Sequence, residues 1–198
     1  MADGLRVEIS YRQIVKIAAP IALALFVPQL NLVINSIFLG HHSEESLAVA
    51  ALTGVYYLVF AALGFGLNNG LQTLISRRAG ENRPEEIGKI FTQGIFIAFI
   101  IAALGIIVTQ TITPPILKAF LSDEQANKSI DFLRIRIWGL PFLYVYQLRN
   151  ALLVGINQSK YLIAGTLAET IANVFFDYTL IFGKLGFPEM GFNGAAVG

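Results

Sequence analysis

Long apolar blocks separated by short polar connections dominate this chain. They predict membrane spans at about 14–40, 47–75, 87–111, 123–153 and 161–183, and residues 192–198 predict the start of a sixth helix. Each complete block is long enough for a helix to cross the hydrocarbon of a bilayer, which takes about 20 residues. The pattern therefore predicts an all-α polytopic membrane protein whose sixth helix is truncated at Gly198.

Composition agrees with a membrane protein and excludes several other classes. The chain has 198 residues, of which 55% are hydrophobic and 14% are charged, against about 25% charged in soluble domains. The net charge of +1 and the lack of a basic run argue against nucleic-acid binding. Cysteine is absent, which excludes disulfides and thiolate metal sites. No H-E-x-x-H, G-x-S-x-G or similar catalytic motif occurs, so the chain is not expected to be an enzyme.

The fifth block is the one that carries charge in its interior. Glu169, Asn173 and Asp177 recur at every fourth position of YLIAGTLAETIANVFFDYTLIFG. At about 100° per residue, three such side chains share one face of a helix. An ionised acid at the centre of a bilayer costs on the order of 2.5–3.5 kcal/mol. This polar stripe must therefore face protein or a watery cavity rather than lipid.

The first block concentrates its polar residues in its second half. Gln29, Asn31 and Asn35 lie there, and Asn31 and Asn35 are one helical turn apart. Two interpretations remain open at this point. The amides either hydrogen-bond to a neighbouring helix or line a cavity.

The distribution of Lys and Arg predicts the orientation in the membrane. With a cytoplasmic N-terminus, the inner connections collect the larger share of the basic residues, as the positive-inside rule requires. We therefore expect a multi-pass protein of the inner (plasma) membrane. Arg149, at the inner end of the fourth span, is expected to extend to the membrane interface.

Several segments, taken in order along nearly the whole chain, resemble one known family. INSIFLG at Ile34–Gly40 is similar to a D-[TS]-x-F-[LV]-G pattern, and GFGLNNGLQTLISRRAGENRPEE is similar to a second helix and its following loop. NVFFDYTLIFG and PEMGFNGAAVG resemble the end of a fifth helix and the entry to a sixth. Together these segments resemble the N-terminal half of a multidrug and toxic compound extrusion (MATE) transporter.

The resemblance implies a twelve-helix exporter built from two six-helix lobes. Such a protein would expel cationic or amphipathic compounds in exchange for Na⁺ or H⁺, and its C-terminal lobe would lie outside this chain. Asn173 and Asp177 match the family's Asn-x-x-x-Asp pair on the fifth helix. Asn35 stands where the family has a first-helix Asp, and an amide offers Na⁺ an oxygen but cannot titrate. Glu169 could restore a second acid on the same face.

The resemblance implies no resident cofactor apart from a bound Na⁺ at Asp177 and Asn173. Aromatic and polar side chains suit an organic cation, and the candidates for the substrate cavity are Gln29, Asn31, Tyr57 and Thr170. One alternative is a flippase for lipid-linked oligosaccharides from the same wider group, which the acids in the helix interiors disfavour. Another is an isolated lobe without transport activity.

Overall fold

The computed structural model describes residues 11–42 and 44–197, which form helices joined by short loops. These residues contain no strand, which confirms the predicted all-α class. The α-helices are α1 (Tyr11–His42), α2 (Glu44–Gly80), α3 (Pro84–Thr111), α4 (Thr113–Phe120), α5 (Asp123–Arg136), α6 (Leu140–Gly155), α7 (Lys160–Phe182) and α8 (Gly194–Val197). Two 3-10 turns, Ile137–Gly139 and Gly191–Asn193, precede α6 and α8.

The predicted fourth span is interrupted. Instead of one helix over 123–153, the chain forms α5, the turn Ile137–Gly139 and α6. Pro141 lies in the first turn of α6, where its missing N–H needs no partner within the helix. In the interior of one continuous helix, the same ring would clash with the carbonyl of the residue four positions earlier. The proline therefore accounts for a break that hydropathy alone did not predict.

The end of the third span also differs from a simple loop. α3 ends at Thr111, where the prediction placed it. Pro114 and Pro115 then lie at the start of the short helix α4 rather than in an irregular connection. Their fixed φ suits the first turn of a helix. Because α4 has only eight residues, its pattern was too short to stand out in the sequence.

The largest apolar core lies between α2, α3 and α6. Ile75, Ala102, Leu140 and Ala151 are each 1% exposed or less. Small residues bring the helices close together. A Cβ on Gly155 would lie 2.5 Å from Cγ2 of Ile75, so no larger side chain fits there without movement.

α1 and α7 form the other side of the lobe. α1 packs along α7, and α7 in turn packs against α8. α7 ends at Phe182 and is capped by Gly183, whose φ of 61° lies in the left-handed region that favours glycine. The following loop folds back onto α7, because the N–H of Met190 donates to the carbonyl of Leu180 at 2.8 Å.

Much of the apolar surface lies outside the core. Two helical segments, 48–80 and 84–111, are long and apolar enough to cross a membrane by length and composition. Their outer faces carry large exposed side chains such as Val55 and Phe96, which are 67% and 69% exposed. A continuous apolar exterior of this kind suits contact with lipid.

Ion pairs fasten the turn between α2 and α3. Nε of Arg78 lies 2.9 Å from Oε2 of Glu86, and Arg78 and Arg77 both bond Glu81. Asn82, at φ 58°, reverses the chain direction. These charges project beyond the apolar parts of both helices, as expected for a turn at the membrane surface.

Candidate functional site

Asp177 lies in the interior of the lobe. Its exposed fraction is 0%, and Thr179 and Ile181 beside it are equally buried. α7, which holds these residues, packs against α1 and α8. Burying an ionised carboxylate costs free energy unless a cation, a proton or hydrogen-bond donors balance it. The position therefore suits a group whose charge is neutralised by what it binds.

The other members of the polar stripe become more exposed towards the start of α7. Asn173, one turn before Asp177, is half-buried, and Glu169, one turn earlier again, is exposed. Thr170 is half-buried. A rise of 1.5 Å per residue places the backbones of Glu169 and Asp177 about 12 Å apart along the axis. The structure thus separates two acids that looked equivalent in sequence.

The contribution of α1 is defined by its backbone. The segment that holds Gln29, Asn31 and Asn35 is helical and belongs to the helix that packs along α7. The side chains of these three residues lie outside the described part of the chain. Their predicted roles in ion and substrate binding therefore remain predictions.

Tyr57, a candidate for the substrate cavity, already has a cationic neighbour. The guanidinium carbon of Arg136 lies 4.9 Å from the centroid of the Tyr57 ring. Nη1 of Arg136 also donates to the carbonyl of Ala195 at 3.2 Å, which joins α5 to α8. A substrate cation at Tyr57 would need the opposite face of the ring or would have to displace Arg136.

Tyr144, another aromatic residue near the middle of the lobe, contributes to packing. It is 1% exposed, and its hydroxyl donates to the carbonyl of Phe60 at 2.9 Å. A Cβ on Gly64 would lie 2.7 Å from the Tyr144 ring. The ring fills the contact between α2 and α6 and is not available to a ligand.

A second polar cluster, which sequence analysis missed, joins α6 to α7. The Tyr146 hydroxyl lies 3.0 Å from Oγ1 of Thr166, and the Arg149 guanidinium carbon lies 4.9 Å from the Tyr146 ring centroid. The Arg149 guanidinium rests against Gly165. Its predicted extension to the membrane interface stays a prediction. Recurring helical spacing offered a signal: Tyr146, Arg149 and Asn150 share one face of α6, while Gly165, Thr166 and Glu169 share one face of α7.

Comparisons with known proteins agree with this architecture. Residues 20–179 match the family model described as MatE. The chain is 24% identical, over its whole length and 42% of the relative's length, to a probable multidrug resistance protein NorM from Synechocystis sp.. A protein of the same description from Halalkalibacterium halodurans is 28% identical over 81% of this chain and 35% of its own length.

Solved structures share the fold. A multidrug resistance MATE family transporter of the MOP superfamily, in an outward-facing conformation, matches 93% of this chain with a TM-score of 0.85 at 21% identity. A MOP superfamily transporter from Pyrococcus furiosus matches the same share with the same TM-score and identity. This chain covers 40% of each of those chains. The predicted resemblance to an N-terminal lobe is confirmed.

Proposed function

Since the chain belongs to the MatE family, we propose that it is the N-terminal lobe of a secondary active antiporter. The full-length protein would export cationic or amphipathic compounds in exchange for Na⁺ or H⁺. The chain spans less than half the length of its curated relatives. The cleft for the exported compound would therefore be completed by a C-terminal lobe.

The complete burial of Asp177 in an otherwise apolar helix carries this proposal. A carboxylate in such a place is stable when it holds a proton or a cation, or when its charge is balanced by donors. Asn173, one turn away and half-buried, supplies an amide oxygen in addition. Carboxylate and amide oxygens suit Na⁺, which is a hard cation, and the carboxylate alone can carry H⁺.

We place Asp177 and Asn173 at the centre of the ion site. We propose Asn35 as the contribution of α1, which packs along α7. Glu169 is the second acid of the stripe, and its exposure supports a role at the edge of the site rather than at its centre. Thr170, Gln29 and Asn31 remain the proposed candidates for binding the exported compound.

Ion binding must favour one conformation over another, because a ligand with equal affinity for both shifts nothing. α1 offers a place for such a change. It remains one helix through Pro20 and Pro28, but neither proline donates a backbone hydrogen bond. α1 therefore lacks one backbone hydrogen bond at each of two positions in the helix that packs along α7. We propose that an ion at Asp177 changes the bend of α1 and so expels the exported compound.

The basic residues of the connections support a cytoplasmic N-terminus in the inner membrane. In this orientation the turn between α2 and α3, with Arg77, Arg78 and Arg83, lies on the cytoplasmic side. Accessibility of a single cysteine introduced at position 83 to a membrane-impermeant maleimide reagent would test it. Labelling from inside only is expected, and labelling from outside would reverse the topology.

Asp177→Asn is the decisive variant for the coupling site. It keeps the size of the side chain and removes the ability to ionise. We expect the full-length variant, reconstituted in vesicles, to lose efflux driven by separate Na⁺ and pH gradients while it still binds the exported compound. Glu189→Gln, which changes an exposed acid in the loop after α7, serves as the matched control. Unchanged ion-driven efflux by Asp177→Asn would refute the proposal.

A further inference from the structure

The short helix α4 exposes a row of apolar side chains, here called the α4 stripe. Its members are Ile112, which caps the helix, and Ile116 and Phe120 within it. All three are exposed, and Phe120 is 84% exposed. They recur at every fourth position, so they lie within about 80° of each other around the helix. One exposed apolar residue is ordinary, but a stripe along the whole length of a helix indicates a partner surface.

A chain of hydroxyl groups fixes which side of α4 faces outwards. The Tyr56 hydroxyl lies 2.7 Å from Oγ1 of Thr113 in α4 and 2.8 Å from Oγ1 of Thr109 in α3. Thr109 donates to the carbonyl of Gly105 at 2.8 Å, so Tyr56 donates to Thr109 and is left to accept from Thr113. Both threonines are buried. These bonds join α4 to α2 and α3, and they would have to break for α4 to turn its stripe towards the lobe.

The charge on α4 lies opposite the stripe. Lys118 is exposed, and at about 100° per residue it lies about 160° around the helix from Ile116 and Phe120. α4 therefore has an apolar side and a cationic side, which is the pattern of helices that lie in the plane of a membrane interface. In such a position the lysine extends to lipid phosphates and water, while the apolar side chains enter the acyl boundary.

The neighbours of α4 place it at the edge of the membrane. α4 follows α3 directly, and the exposed apolar exterior of α3 continues to Ile107 near its end. At the same end, Nε2 of Gln110 donates to the carbonyl of Arg134 at 3.2 Å, and Trp138, four residues further on, is exposed. Tryptophan is enriched where hydrocarbon meets the head groups. The α4 stripe is thus continuous with the apolar surface of α3 and lies at the level of the head groups.

We propose that α4 is an interfacial anchor, whose stripe docks on the phospholipid leaflet opposite the turn between α2 and α3. Ile116 and Phe120 enter the boundary between acyl chains and head groups, and Lys118 meets the anionic lipid phosphates. Tyr56 positions the anchor through Thr113. The proposal goes beyond the proposed function, because it depends on the chain crossing a bilayer and not on the exported compound or the coupling ion.

Spin labels on single cysteines in the full-length protein test the anchor. Ile116→Cys and Phe120→Cys report on the stripe, Lys118→Cys reports on the opposite side, and Gln125→Cys, in the exposed polar first turn of α5, is the control in water. The protein is held in nanodiscs of phosphatidylethanolamine and phosphatidylglycerol in equal parts, where both leaflets are open to solutes. O₂ concentrates in hydrocarbon, whereas a nickel chelate stays in water. The ratio of collisions with O₂ to collisions with the chelate should be several-fold higher at 116 and 120 than at 118 and 125.

Two other results would overturn the proposal. Frequent collision with the nickel chelate at 116 and 120 would mean that the stripe faces water. Exclusion of both O₂ and the chelate would mean that protein covers the stripe, either the C-terminal lobe or a second copy of this chain. Each position on the stripe gives its own measurement, so the test survives if one labelled variant does not fold.

Tyr56→Phe tests how the anchor is positioned. It keeps the ring and removes the hydroxyl that bonds Thr109 and Thr113, so α4 should turn more freely and the difference between labels at 118 and 120 should shrink. Tyr161→Phe, at an exposed ring of α7, is the matched control and should leave that difference unchanged. Equal differences in the two variants would overturn the role of Tyr56. None of these measurements depends on Asp177→Asn, so the anchor and the proposed function can fail separately.

Discussion

The two sides of the lobe are built on different principles. On the side of α2, α3 and α6, glycines admit large apolar side chains, and buried residues such as Ile75 and Leu140 interlock without a charged group. On the side of α1 and α7, the buried surface includes an acid, and its neighbours along α7 become more polar and more exposed. The first side resists change because an added atom at its helix contacts, as at Gly64 or Gly155, collides with a neighbour. The second contains the buried Asp177, and under the proposed function it is the side that responds to the coupling ion.

Gly64→Ala is the strongest test of close packing on the side of α2, α3 and α6. A Cβ at this position would lie 2.1 Å from Oε1 of Gln147 and 2.7 Å from the Tyr144 ring. Overpacking of this kind costs about 1–3 kcal/mol of stability. We expect a lower midpoint of thermal denaturation for the full-length protein in detergent.

Gly66→Ala provides the matched control on the same helix. Nothing lies within 4 Å of a Cβ at Gly66, so this change is expected to be neutral or to stabilise α2 by up to about 1 kcal/mol. Equal thermal midpoints for Gly64→Ala and Gly66→Ala would show that the contact between α2 and α6 is not close-packed at Gly64.

Tyr144→Phe is expected to have a smaller effect on the same side. It removes the hydroxyl that donates to the carbonyl of Phe60 at 2.9 Å and keeps the ring. The loss of one hydrogen bond costs about 0.5–1.5 kcal/mol. The thermal midpoint should fall by less than in Gly64→Ala, and ion-driven efflux should persist. Loss of ion-driven efflux in Tyr144→Phe would mean that the side of α2, α3 and α6 also takes part in ion coupling.

The smallest effect is expected in the turn between α2 and α3, outside both sides. Hydrogen bonds from Arg78 and then Arg77 hold the pKa of Glu81 below its ordinary value. A lowered folded-state pKa stabilises the turn above the unfolded pKa of about 4.3 and loses that contribution as pH falls through the folded value. An NMR titration of the Glu81 carboxyl carbon would measure this pKa. Arg78→Gln should raise it towards the ordinary value, and an unchanged titration would contradict the ion-pair geometry.

Hydropathy predicted the helices well because helix formation in an apolar segment depends on the local sequence. A run of apolar residues satisfies its own backbone hydrogen bonds as a helix, so the bounds of α3 and α7 differ from prediction by three residues or fewer. The break at Ile137–Gly139 and the short helix α4 were missed. Both depend on prolines, which continue some membrane helices, such as α1, and interrupt others.

The candidate site was predictable only in part. The spacing of Glu169, Asn173 and Asp177 identified one shared face, but the difference in burial between the two acids depends on which helices pack at each level. The position of Arg149 could not be read from α6 alone, because the space that it occupies is created by the absence of a side chain at Gly165 on α7. The sequence of α6 does not show where a neighbouring helix lacks a side chain.

That gap has an evolutionary consequence. Arg149 and Gly165 are expected to vary together, since a Cβ at position 165 would meet the end of the Arg149 side chain. A relative that lacks the glycine should therefore have a shifted arginine or a shorter residue at the matching position of α6. Paired replacement at these two positions would show that the contact between α6 and α7 is inherited as a unit.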